Sequence, residues 1–225
     1  MDDKALILAQ SIFYWLNYNN TVSKTYILLE SSVRFPLAEC LERRIGAKVE
    51  LEVDHLLYSG LKVDFRYTLN NKSHYIELKF LHDYSNSTQE QKRYFDDLVR
   101  LAILGGNNYF ILCGSREYLE NRIKRYLPAV KSPDEIQKPR TSKDTVYPHW
   151  LNFKDINSDH RFIPTEFYNY VGSKKHETDA ERQIPSCMSE IRTILIAKQD
   201  DESKGSQVVY VWKVEGIFVK ANTKE

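Results

Sequence analysis

Cysteine is scarce in this chain. Cys40, Cys113 and Cys187 stand far apart in 225 residues, with no CxxC spacing, which argues against a disulfide framework or a cysteine-based zinc site and fits a reducing compartment such as the cytoplasm. An excess of either charge is also missing: 32 Lys and Arg against 31 Asp and Glu leave a net +1. Any phosphate-binding face must therefore come from local segregation of charge. No apolar run approaches the roughly 20 residues that a membrane helix needs. The opening MDDKALILAQ is acidic where a secretory signal is basic. A soluble intracellular protein with no membrane partner is expected. No repeat is visible at any solenoid period.

What the chain does contain is enough apolar material for a core, at 42% of residues. Its 15 tyrosines read first as half-buried strand packing and second as a surface that stacks on bases or lines an interface. Residues 3–17 carry apolar side chains at helical spacing. A second helical region spans about 23–45, with Pro36 expected to kink or split it and Gly46 to end it. From Ala47 the period shortens to two. AKVELEVDHLL, LKVDFRYTL and SHYIELKFL read as strands at about 48–55, 61–69 and 74–81, the last two joined by turn chemistry at Asn70-Asn71. TQEQKRYFDDLVRLAILG is an amphipathic helix, NYFILCG a strand buried on both faces, and SREYLENRIKRYL a further helix.

Past residue 127 the pattern weakens. Five of the seven prolines lie within 128–165, the mark of a long connection or lid. Residues 177–190 read as a helix, and RTILIAKQ and VVYVWKVEG as a C-terminal hairpin. The chain is expected to form a single domain over 1–225, with its core at about 23–127.

The strongest chemical signal lies on the second and third strands. Residues i and i+2 share a face of a strand, so Glu77 and Lys79 project together while Ile76, Leu78 and Phe80 project the other way. A hairpin symmetric about residues 70–71 puts Asp64 opposite Glu77, with side chains about 5 Å apart. Two carboxylates that close repel unless a cation lies between them. Mg²⁺ is held by one or two carboxylates together with phosphate oxygens and water. A neighbouring lysine can orient a metal-bound water and stabilise charge developing on phosphate. Glu-x-Lys alone is often a surface ion pair of little weight; here both strands interleave the charges with bulky apolar residues.

At these residues the sequence resembles the PD-(D/E)xK nuclease superfamily, to which restriction endonucleases belong. The resemblance covers about 90 of the 225 residues, and Val63 stands where the name-giving motif has proline. It implies an α/β fold with a restriction-endonuclease-like core of helix, three-strand meander, helix and strand. Around that core the sequence adds a mixed central sheet, an N-terminal helix and a C-terminal β-hairpin. It further implies Asp64 and Glu77 as metal ligands for Mg²⁺, with Mn²⁺ as a substitute, and Lys79 as the catalytic lysine. Many members add a glutamate from the first core helix. At about 100° per residue, Glu30 projects from the stripe of Val33, Leu37, Leu41 and Ile45, whereas Glu39 and Glu42 lie on the polar face. Glu30 is thus the choice, its plain alternative being an i, i+4 pair with Arg34.

Gln91 and Lys92 near the start of the next helix, and the cationic series Arg116, Arg122, Lys124, Arg125 and Lys131, are candidate nucleic-acid contacts. Asp96, Asp97 and Arg100 read as a pairing on the helix surface, and the histidines His74, His82, His149 and His160 as surface residues. The expected activity is hydrolysis of phosphodiesters by an endonuclease acting on DNA, with RNA as the other substrate and restriction or phage defence as the setting. Its expected partner is nucleic acid, with a homodimer or a partner subunit as further arrangements. The alternatives are a non-cleaving binding or assembly subunit with the same fold, and a tyrosine-rich interaction module.

Overall fold

The computed structural model describes residues 3–24, 28–57, 60–81, 88–116, 156, 159–164, 184–185, 187–201 and 206–219, with the backbone alone at 88–92. Among the described residues the chain runs α1 (Asp3–Thr21), α2 (Glu30–Arg43), β1 (Lys48–Asp54), β2 (Lys62–Leu69), β3 (Lys72–Leu81), α3 (Thr88–Leu104), β4 (Asn108–Ser115), β5 (Asp159–Phe162), β6 (Met188–Gln199) and β7 (Gln207–Phe218). All seven strands join one sheet in the order β1-β2-β3-β4-β7-β6-β5. Only β3 and β4 pair in parallel, and α3 is the crossover that such a pair requires. This is a mixed α/β fold.

Helices cover both faces. α1 and α2 set Leu8, Ile12, Leu16, Val33, Leu37 and Leu41 against Phe65, Ile76, Leu78, Ile111 and Val211. On the other face α3 sets Phe95, Leu98, Val99 and Ala102 against Phe110, Leu112, Leu195, Trp212 and Val214. β4 feeds both layers, Phe110 and Leu112 to one and Tyr109, Ile111 and Cys113 to the other, as its unbroken apolar run anticipates. α3 lies close on the sheet because β7 offers a glycine beneath it: a Cβ on Gly216 would stand 2.4 Å from the Ala102 carbonyl oxygen.

The β2–β3 hairpin turns on Asn70 and Asn71, both left-handed at φ 51° and 61°, the backbone a two-residue type I′ turn demands. Pairing then runs from Leu69↔Lys72 to Phe65↔Ile76, the register expected for a hairpin symmetric about that turn. The C-terminal hairpin is present as β6 and β7.

Other expectations need correction. The second helix starts at Glu30, because Leu28 is buried in the core and Leu29 is extended at φ −127°, ψ 157°. Pro36 does not split it; the helix is continuous to Arg43, held by Val33, Leu37, Cys40 and Leu41 on its buried side. Residues 188–190 are strand, because Met188 and Ile191 bury beside α3 and β6 is paired on both sides. The rest of the expected 177–190 helix, the helix beyond Arg116 and most of the 128–165 connection lie outside the described residues. Within that connection the short strand β5, which the sequence did not announce, extends the sheet past β6. No helix among the described residues is long and apolar enough to cross a membrane.

Candidate active site

Three elements converge where β2 and β3 part. The ladder between them ends at Phe65↔Ile76; the next position would set Asp64 against Glu77. Instead, the Leu78 backbone N–H donates to Asp64 Oδ2 at 2.9 Å, so a carboxylate takes the place of a backbone carbonyl. The strand also turns over here. Val63 buries on the α3 face and Phe65, two residues on, buries on the α1–α2 face, whereas regular alternation would put both on one side. That local twist carries the Asp64 carboxylate towards α2.

On the α2 side, Arg34 gathers three carboxylates. Its guanidinium reaches Asp64 Oδ1 at 2.5 Å, Glu52 Oε1 at 2.5 Å and Glu30 Oε1 at 3.7 Å. Glu30 occupies the first turn of α2, where the helix dipole favours an anion. Burial raises its pKa and Asp64 adds to the rise, against Lys79, the Phe80 backbone N–H and Arg34. Glu30 therefore faces this cluster, while Glu39 pairs with Arg43 at 3.2 Å in solvent. Glu52, on β1, is bracketed by the pairs Leu51↔Phe65 and Val53↔Val63, so it lies across from Asp64. Its backbone is left-handed, φ 49°, which is uncommon for a residue with a long side chain.

On the α3 side, Glu77 is 2% exposed and Asp97 3%. Arg100 donates to Glu77 Oε1 at 3.2 Å and also to Asp97, and the Lys79 ammonium lies 3.1 Å from Asp97 Oδ2. Glu77, Arg100, Asp97 and Lys79 thus form a chain of alternating charge between a strand and a helix. Burial raises Glu77 well above the usual carboxylate range, and the Asp97 charge adds to it. Burial likewise raises Asp97, against the pull of Lys79 and Arg100. For Lys79, burial works downward, but Asp97, Glu30, Glu77 and Asp64 together outweigh it and the pKa rises. The side chain is an ammonium, a donor rather than a base. Cys113, whose thiol burial pushes up, is no nucleophile.

Asp96, Asp97 and Arg100 were expected on the helix surface; the i, i+3 pairing of Asp97 with Arg100 holds, but both Asp96 and Asp97 are buried, and the pair is built into the site. A signal was available, since Asp97 sits three residues after Tyr94 and four before Leu101, inside the apolar sector of α3. Arg34 and Glu52 were also missed as site residues, and their pairing depends on a tertiary contact that no spacing encodes. His55, which belongs to no motif, is buried, its Nε2 3.3 Å from the Arg100 carbonyl oxygen, and burial lowers its pKa.

The expected nucleic-acid contacts are placed less fully. Gln91 and Lys92 lie in α3 near its start. Arg116 is tied to the β6–β7 connection, its backbone N–H to the Ser206 carbonyl at 2.9 Å and its guanidinium to the Asp201 carbonyl at 2.5 Å. Arg122, Lys124, Arg125 and Lys131 lie outside the described residues.

The cluster can be tested as a cation site. Glu30, Glu52, Asp64, Glu77 and Asp97 share three cations, Arg34, Lys79 and Arg100, so negative charge is in surplus where burial already disfavours it. Among the described residues no three acidic, histidine or cysteine side chains converge as a cation cage. Mg²⁺ does not need one, because it keeps waters and takes one or two carboxylates with phosphate oxygens. The donors are hard oxygens of the kind Mg²⁺ and Mn²⁺ prefer, and in that sense Asp64 and Glu77 fit such an ion.

Comparison with known proteins adds no family: no protein-family model matches the chain, and neither the curated proteins nor the solved structures give a significant match.

Proposed function

We propose that this chain is a Mg²⁺-dependent nuclease of the PD-(D/E)xK type, hydrolysing phosphodiester bonds in nucleic acid, with DNA the expected substrate. In this reading α2, the β1–β3 meander, α3 and β4 form the restriction-endonuclease-like core. One observation carries it: Asp64, Glu77, Glu30 and Lys79, from two strands and a helix, are drawn together by ion pairs through Arg34, Arg100 and Asp97, with Asp64, Glu77 and Lys79 mostly buried. Chance surface ion pairs are exposed and contribute little.

Asp64 and Glu77 would hold the ion, with Glu30 beside them. Bound Mg²⁺ supplies an activated water and neutralises charge on the phosphate. Lys79 contributes an ammonium that donates to that water or to a phosphate oxygen, and Asp97 fixes where it points. Arg100 holds Glu77 in place. Glu30, its pKa raised by burial, stands where it can accept a proton as the water is consumed.

The test is incubation of the purified protein with supercoiled plasmid, linear DNA and RNA, each in Mg²⁺, Mn²⁺ or EDTA. Cleavage that needs the cation is expected, and Lys79→Ala should lower it by about 10²-fold or more, the scale of losing one oriented donor at the reacting group. Mn²⁺ binding by calorimetry should survive that change. Wild-type cleavage rates in Lys79→Ala, Asp64→Asn and Glu77→Gln alike would end the nuclease reading. A second reading is a non-cleaving assembly or binding subunit with this fold. What favours it is that Asp64 and Glu77 are each already paired with an arginine; a wild type that binds nucleic acid but never cuts it would support that reading.

A further inference from the structure

Arg34 does more than neutralise one acid. Its guanidinium bridges Asp64 and Glu52, both at 2.5 Å, and keeps Glu30 within 3.7 Å. Asp64 is mostly buried and receives a second hydrogen bond from the Leu78 N–H. Glu52 is more than half exposed and belongs to an edge strand. One partner of Arg34 is thus fixed inside the cluster and the other lies at its rim. Glu52 also holds a left-handed backbone directly across from Asp64. A left-handed conformation is unfavourable in a residue with a Cβ, and such strain persists where the surroundings impose it and clusters at functional sites.

We propose that Arg34 is a tethered counter-ion that competes with divalent metal for Asp64, and that Glu52 is the position to which Arg34 withdraws when metal binds. The inference rests on the metal-site reading above. A planar guanidinium can serve two carboxylates at once, so Arg34 satisfies Asp64 while no metal is bound and stays paired with Glu52 when it leaves. Without Glu52, release of Asp64 would leave the cation with Glu30 alone, at the longest of the three distances. Glu52 therefore favours metal binding without touching the ion, and Arg34 opposes it.

The experiment is Mn²⁺ titration by calorimetry on the full chain, comparing wild type, Arg34→Gln, Glu52→Gln and the double variant, with Asp64→Asn as control. Arg34→Gln should bind Mn²⁺ at least about tenfold more tightly, the scale of one charge-assisted hydrogen bond to Asp64. Glu52→Gln alone should bind several-fold more weakly. In the Arg34→Gln background the Glu52 change should have no further effect, because Glu52 acts only through Arg34; through-space attraction or direct ligation would instead give additive effects. Arg34→Lys covers the case in which Gln at 34 prevents folding: an ammonium lacks the planar fork that holds both carboxylates in fixed geometry, so this variant too should bind more tightly than wild type.

Equal or weaker binding in the folded Arg34 variants, with wild-type binding lost in Asp64→Asn, overturns the counter-ion role and leaves the nuclease reading standing. A Glu52 effect of undiminished size in the double variant overturns the withdrawal role. Absence of Mn²⁺ binding in every protein overturns the metal-site reading and this inference with it.

Discussion

Glu77 combines near-complete burial with an adjacent Asp97 carboxylate, and burial is the larger cause of its raised pKa. The sign of the consequence is fixed. Below its ordinary value of 4.5 the side chain is protonated whether the chain is folded or not. As pH rises past that value the unfolded chain ionises first, and the fold loses stability until the buried group ionises as well. Glu77→Gln removes that loss, and Arg100 still has Asp97. In EDTA the variant should melt above wild type at pH 7, by roughly 2–4 °C for each kcal/mol relieved, and the gap should close as pH falls towards 4.5. A gap of constant size across that range, or a variant that melts lower at pH 7, would show that the Arg100 pairing outweighs burial. Legibility at this scale follows position. The shared face of Glu77 and Lys79 follows from strand periodicity and the inward turn of Glu30 from its helical stripe, whereas Asp64, expected opposite Glu77, is carried towards α2 by a twist at 63–65 that no period encodes. Asp97 and Arg100 read as surface residues because charged residues on an amphipathic helix are usually solvated, although Asp97 lies within the apolar sector of α3.

Among the elements, α3 links the fold to the chemistry most directly. Its Asp97 and Arg100 hold Lys79 and Glu77, and it lies close against the sheet over Gly216. Gly216→Ala would press a methyl group into the Ala102 carbonyl oxygen, an approach of 2.4 Å that real Cβ contacts do not show. Either α3 or β7 must shift, at a cost of about 1–3 kcal/mol by the precedent of overpacked cores. The expected result is lower stability in chemical denaturation together with reduced cleavage by the fraction that remains folded. Full activity per folded molecule would mean that α3 moves as a rigid body without disturbing its ion pairs to Glu77 and Lys79. The elements that were readable are those with local rules: the apolar periods of α1 and α3, the Asn70-Asn71 turn, the continuous apolar run of β4. The start of α2 and the strand character of 188–190 were not, because each is decided by what Leu28, Met188 and Ile191 find in the tertiary core.

Over the whole molecule, the centre of the sheet and its edges are held differently. Among the described residues β4 has partners on both flanks and helices over both faces, while β1 and β5 are each paired on one side only. Amide hydrogen exchange should be graded accordingly, slowest in β4, whose amides exchange only on global opening, and fastest at the two edges. Uniform protection across the sheet would contradict that grading. Glu52 rides on β1, with a backbone that already disfavours the ladder at that point. Each fraying event at that edge also carries away one of the two closest anchors of Arg34. In the proposed exchange Arg34 would then have only Glu30 to withdraw to, so whatever pins this edge of the sheet would raise the occupancy of Asp64 by a cation.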